Sequence, residues 1–159
     1  MTDMPSVQNN GLVPKNPNFK SFVEEKLEGQ HFMRHIGFEL TTIEAGLIEG
    51  AAPLQTFMTQ QDGLIHGGVV STVADIVTGF AAFSLVEKDQ RVVSANLDLS
   101  FYRPGTGQKV KARGWVNKPG SRLHFCEGII WTEDEDGTYT NVAGVNSIMA
   151  VFRPGKRNE

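Results

Sequence analysis

Asp75 is the one carboxylate in the apolar run GLIHGGVVSTVADIVTGF (63–80), which opens on His66-Gly67-Gly68. Two glycines leading into a helix put free backbone amides at its start. Those amides have no partner inside the helix and carry the positive end of its dipole, so they suit an anion or a developing oxyanion. Glycine, lacking Cβ, lets a substrate carbonyl come close to them. A carboxylate about two turns further on can act as a general base or a nucleophile. Together, Gly67, Gly68 and Asp75 fit attack on an acyl carbon, with amides holding its oxygen.

The helix that must carry these groups spans about 68–86. On a helical wheel Val69, Val70, Val73, Ile76, Val77, Phe80 and Phe83 share one wide arc, the face expected to bury. Asp75 lies opposite, among Gly68, Ser71, Thr72, Thr78, Gly79 and Ala82. Either water or a second protein surface can cover that side. A wet helix face ordinarily carries Lys, Glu, Arg or Gln, whereas this one is built of small residues that permit close approach. A second copy of the chain is the economical partner, since most soluble oligomers are symmetric. Asp75 would then stand beside a subunit interface.

The rest of the chain supplies a sheet. Asn16-Pro17 predicts a helix start, with Phe19, Phe22, Val23 and Leu27 on one face and Gly29 as the stop. Residues 31–37 add a turn. Strands are expected at Ile36–Ile43 and Leu47–Phe57 around an Ala45-Gly46 hairpin, and after the long helix at 92–102, Lys109–Val116, Leu123–Trp131 and Tyr139–Phe152. In 92–102, Val93, Ala95, Leu97, Leu99 and Phe101 alternate with Ser94, Asn96, Asp98 and Ser100. Hairpin-linked strands imply an antiparallel sheet, and the long helix is the element available to cover its apolar face. The expectation is an α+β fold with the sheet wrapped around one central helix. Its organisation would be a disordered tail over 1–15, a single domain over 16–152 and a polar tail over 153–159.

At these residues the chain resembles the hotdog-fold acyl-CoA thioesterases, in the branch of the phenylacetate-degradation (PaaI-type) and 4-hydroxybenzoyl-CoA thioesterases. His66-Gly67-Gly68 with Asp75 eight residues after Gly67 matches the family motif. VSANLDLSFYRP (93–104) is similar to the strand after the helix, and PGSRLHF (119–125) to a glycine-basic hairpin; the likeness covers roughly 30–152. The resemblance implies hydrolysis of a small, aromatic or medium-chain acyl-CoA to free acid and CoA. It implies Asp75 as base or nucleophile, the Gly67 amide as oxyanion donor, and His66 positioning the thioester. It further implies Ser94 near the reacting centre and Gln60, or with a one-residue shift Gln61, orienting water or substrate. Gly68 and Phe80, with Phe57 and Phe83, would border the substrate, and Arg103 and Arg122, with Lys118, would meet CoA phosphates. No separate cofactor is implied, because CoA is part of the substrate. The implied assembly is a homodimer, or a dimer of dimers, with Asp75 of one subunit facing Gly67 of the other. Two features depart from the family pattern: the loop TFMTQQDGLIHGG lacks Asn-Pro-x-Gly, and Gly79 stands where several members carry a hydroxyl or amide.

Composition narrows the alternatives. The 159 residues carry a net charge of −3 with no basic run, which argues against nucleic acid. One cysteine fits a reducing compartment, MTDMPSVQNN lacks signal-peptide order, and no apolar run of membrane-spanning length occurs, so a cytoplasmic protein without a membrane partner is expected. Cys126, in an expected strand, has no local activating arrangement for a thiol mechanism. His31, His35, His66 and His124 offer no three-ligand metal pattern. A hotdog dehydratase or hydratase would carry a proline-rich motif after the histidine, which is absent. A non-catalytic acyl-CoA sensor is the remaining alternative, from a different functional class.

Overall fold

The computed structural model describes residues 11–155. In chain order the elements are α1 (Phe19–Leu27), α2 (His31–His35), β1 (Glu39–Glu44), β2 (Leu47–Pro53), a 3-10 turn (Thr56–Met58), α3 (Gly67–Phe83), β3 (Arg91–Phe101), β4 (Lys109–Pro119), β5 (Leu123–Glu133) and β6 (Tyr139–Phe152). The six strands form one sheet in the order β1-β2-β4-β5-β6-β3, every neighbouring pair antiparallel. The long helix α3 lies across β2 to β6. This is the hotdog arrangement that the resemblance implies, and it leaves β1 and β3 as the sheet edges.

Local chemistry sets the boundaries and moves several from the sequence expectation. The Asn16 side chain accepts the Asn18 amide at 3.0 Å, so Asn16-Pro17 forms a turn and the helix begins only at Phe19. Gly37, at φ +67°, turns the chain out of α2, which delays β1 to Glu39. Strand β2 ends at Pro53, and the Thr56–Met58 turn occupies what sequence alone assigns to strand. Gly46, at φ +74°, closes the β1–β2 hairpin, and its amide donates to Ser84 Oγ at 2.7 Å, fastening the hairpin to the end of α3. Residues 1–10 and 156–159 of the expected tails lie outside the described residues. Within the expected N-terminal tail, Leu12 packs against the core and the Lys15 amide donates to the Leu85 carbonyl at 3.2 Å.

The roll of α3 differs from the wheel. Thr78 and Ala82, expected on the Asp75 side, are fully buried, whereas Val69 and Ile76 are only half-buried. The cause is on the sheet: a Cβ at Gly114 of β4 would lie 2.6 Å from the carbonyl carbon of Val77 and 2.7 Å from the amide nitrogen of Thr78. The helix backbone therefore rests directly on the strand at that point. Val70, Ala74, Val77 and Ala81 turn into the core, and Thr78 satisfies its buried hydroxyl by donating to the Ala74 carbonyl at 2.8 Å. Phe83, rolled towards the rim, is covered by Phe22 of α1, the rings stacked 4.6 Å apart.

Strand β3 contains a second correction. Its pairing with β6 skips from Ser94↔Met149 to Asn96↔Ile148, so Ala95 is an extra residue in a β-bulge. The simple alternation breaks there. Val92 on one side of the bulge and Leu97 and Leu99 on the other all pack against the core, and Ser94 joins them on the helix side instead of facing away.

Because the Val77–Thr78 backbone cannot retreat without lifting the helix, Gly114→Ala should lower stability by about 1–3 kcal/mol, the scale of core overpacking. Urea unfolding monitored by circular dichroism reads this as a lower midpoint at unchanged slope.

Candidate active site

The exposed strip of α3 comprises Gly68, Thr72, Asp75 and Gly79, one turn apart in succession. Asp75 is half-buried there, and the Ser94 hydroxyl from β3 donates to its Oδ1. The bulge at Ala95 aims Ser94 at the helix, so the contact depends on both features of the fold. Fixing Oδ1 orients the carboxylate and leaves Oδ2 without a hydrogen-bond partner among the described residues, on a side chain that lines the adjoining cavity. That cavity, about 400 Å³, runs from Asp75 and Ser94 past Gly79 and Phe80 to Phe83, with Met149 and Val92 in its wall. Lys26 and Gln30 from the α1 end and Arg91 also line it.

At the other end of the strip His66 is the N-cap of α3, and its Nδ1 accepts the Gly68 amide at 2.8 Å. An accepting Nδ1 carries no proton, so the neutral ring presents Nε2–H as a donor. The amides of Val69 and Val70 both donate to the His66 carbonyl, at 2.9 and 3.2 Å. Gly67 is thus left with the one amide of the first turn that has no acceptor among the described residues. This revises the two-amide expectation: Gly68 is consumed by the cap, and Gly67 remains the donor.

Gly67 lines a cleft of about 350 Å³ together with Gln60, Phe101, Tyr102 and Arg103. The Gln60 side-chain oxygen accepts the Asp62 amide, which leaves its NH₂ group as the free donor there. Gln61 instead donates to the Asp62 carboxylate at 3.2 Å, so Gln60 is the residue placed at the cleft. Phe57 lies apart from Phe80 and Phe83, in a third cleft with His66, Gly68 and Thr72. Arg122 sits in the β4–β5 turn, away from the clefts around Asp75 and Gly67, and Lys118 stands exposed near the end of β4.

Other groups considered on sequence are placed as follows. Burial pushes the Cys126 thiol up to about 12, so it is no ready nucleophile. Burial also holds the His124 imidazole below its ordinary range, with the Gly120 backbone opposing. Among the described residues no group of three His, Cys, Asp or Glu side chains could hold a metal ion. Nor is any helix there long and apolar enough to cross a membrane.

The Gly67 amide and Asp75 are eight residues apart on one helix, roughly 12 Å along its axis. An oxyanion donor and an attacking group must both lie about 3 Å from the same reacting centre. One chain alone therefore does not bring the Gly67 amide and Asp75 to a common reacting centre. Sequence reasoning missed Lys26, Gln30 and Arg91, which belong to no motif and meet at the cavity only through the fold.

The thioesterase superfamily matches residues 62–138, a span that includes His66, Gly67, Asp75 and Ser94. EntH, a proofreading thioesterase of Klebsiella pneumoniae, is 34% identical over 99 residues, which cover 62% of this chain and 72% of that one. A thioesterase family protein from Silicibacter pomeroyi superposes with a TM-score of 0.83 at 29% identity, covering 86% of this chain and 99% of its own. The PaaI protein of E. coli, from the phenylacetic acid degradation operon, shares the fold at a TM-score of 0.74 and 17% identity, over 86% of this chain and 94% of that one.

The cap at His66 is separable from any chemistry. His66→Ala should cost about 0.5–2 kcal/mol of stability by freeing the Gly68 amide, and His66→Asn, which keeps an N-cap acceptor, should retain most of it. Urea unfolding of both variants reads the difference.

Proposed function

Because the chain belongs to the thioesterase superfamily and is a thioester hydrolase, we propose that it cleaves a small, aromatic or medium-chain acyl-CoA at a site shared between two copies. The observation that carries this reading is the Ser94–Asp75 contact at the mouth of the cavity. A hydroxyl that fixes one carboxylate oxygen and leaves the other facing a substrate-sized space is what a base or nucleophile requires.

The separation of Gly67 from Asp75 supports the shared site. Strand β3 pairs with β6 on one side and forms a sheet edge on the other, and the small-residue strip of α3 lies beside it. Two chains joined antiparallel along β3 bring their strips together head to tail. Asp75 of one then faces Gly67 of the other, under a symmetry in which each chain contributes to both sites. The outer sheet face exposes Leu123, Phe125 and Phe152, each more than 40%, which supports a further pairing into a dimer of dimers.

In the reaction the Gly67 amide and the helix dipole polarise the thioester carbonyl, and His66 Nε2–H donates beside them. Asp75 Oδ2 either takes a proton from attacking water or attacks the carbonyl itself, to form an anhydride that water then opens. The tetrahedral oxyanion rests on the Gly67 amide; its collapse breaks the C–S bond, and the departing CoA thiolate takes up the proton that Asp75 accepted from water or, in the anhydride route, one released when water opens the anhydride. Arg103, in the Gly67 cleft, is placed to meet the CoA phosphates. CoA enters as part of the substrate and leaves as the free thiol, so this chemistry calls for no separate cofactor.

Thiol release measured across short, medium, long and aromatic acyl-CoAs tests the chemistry. Asp75→Asn should lower kcat about 10²–10⁴-fold, and undiminished turnover would remove Asp75 from its role. Gly67→Pro is the matching test of the amide. Proline is tolerated at the first helical position, and His66 already holds φ −68° and ψ 135°, compatible with a following proline. The variant should fold and lose about 10²–10³ in kcat.

Co-expression tests the sharing. Half of an equal mixture of Asp75→Asn and Gly67→Pro chains would pair as mixed dimers, each with one intact site, restoring about a quarter of wild-type activity. A site confined to one chain would restore none.

A further inference from the structure

The cavity beside Asp75 is polar at both ends and apolar between them. Asp75 and Ser94 mark one end; Ile76, Phe80, Phe83 and Met149 supply the apolar wall; Lys26 and Gln30 stand at the other end. Phe83 is eight residues beyond Asp75, so the ends are separated by roughly 12 Å along α3. A Cβ at Gly79, midway, would meet nothing within 4 Å, so the passage between the ends is open.

Lys26 is held at its end by the fold. Phe22, one turn earlier on α1, stacks on Phe83, and the Lys26 ammonium lies 5.5 Å from the centre of the Phe22 ring. Among the described residues no carboxylate pairs with Lys26. Arg91, whose guanidinium donates to the Gln90 and Lys88 carbonyls at 2.8 and 3.3 Å, adds a second positive charge to the same cavity and likewise meets no carboxylate among the described residues.

We infer that the enzyme prefers medium-length acyl groups that carry a carboxylate at the end remote from the thioester, with Lys26 and Gln30 as the groups that read it. The inference rests on the proposed role of Asp75, which fixes where the thioester lies. The apolar wall takes the methylene chain. Asp75 repels a tail carboxylate and Lys26 attracts it, so the two charges together orient the acyl group with its thioester at Asp75. The CoA phosphates, at the far end of the long pantetheine arm, are not suited to a cation so close to the reacting carbonyl.

The test is the ratio of kcat/KM for adipyl-CoA to that for hexanoyl-CoA, which differ in the tail carboxylate. The wild type should favour adipyl-CoA about five- to tenfold, the scale of one charge-assisted contact at a half-exposed site. Lys26→Met, which keeps the stem against Phe22, should bring the ratio to about one, and Lys26→Arg should keep it. A wild-type ratio of one, or a preference that persists in Lys26→Met, overturns the inference; the second result would place Lys26 on the CoA moiety or in the packing of α1. If the wild type turns over neither thioester, thiol release across the wider set of acyl-CoAs decides whether the acyl-CoA reading stands, and calorimetry with the acids themselves decides this inference. Adipate bound more tightly than hexanoate, with the difference lost in Lys26→Met, upholds the cavity's preference, and equal binding overturns it.

Discussion

The contact between the backbone of α3 at Val77–Thr78 and Gly114 of β4 fixes the roll of the helix, and the candidate site follows from that roll. With the backbone seated on a strand that has no side chain there, Val70, Ala74, Val77 and Ala81 are driven into the core. Gly68, Thr72, Asp75 and Gly79 are left facing outward beside the edge strand. A bulkier residue at position 114 would push the helix off the sheet and re-aim Asp75. The position of a carboxylate is thus set by a glycine 39 residues further along the chain.

The start and the middle of the helix divide the proposed chemistry. At the start His66 closes off the Gly68 amide and the His66 carbonyl takes those of Val69 and Val70, so the donor capacity of the first turn is concentrated in Gly67. Two turns on, Ser94 occupies one oxygen of Asp75 and leaves the other. In both places neighbours occupy the equivalent groups and leave a single one free. Such preorganisation lowers the reorganisation needed when charge develops.

Much of this was legible in the sequence because it is local. The His66-Gly67-Gly68 start, the apolar helix, the hairpin at Ala45-Gly46 and the last four strands follow from spacing and turn chemistry within a few residues. The features that were not legible depend on distant partners. The wheel could not place Thr78 in the core, because Gly114 decides it. The alternation through Val93, Ala95 and Leu97 looked regular, yet β6 pairs in a register that skips Ala95, which reverses the side on which Ser94 lies. Lys26 carries no local signal, since its approach to the cavity depends on Phe22 meeting Phe83 across some sixty residues of chain.

The bulge at Ala95 also bears on how the open edge of β3 meets other extended chains. An eleven-residue edge strand with open hydrogen-bonding groups is a template on which any extended segment can lay itself down, a hazard for a newly made protein in a crowded cell. A bulge twists the edge and breaks its even run of donors and acceptors, and Asn96 and Asp98 add polar side chains just beyond it. The kink that turns Ser94 toward the helix therefore also acts as a filter: a strand with the matching kink can dock along the whole edge, and a flat one cannot.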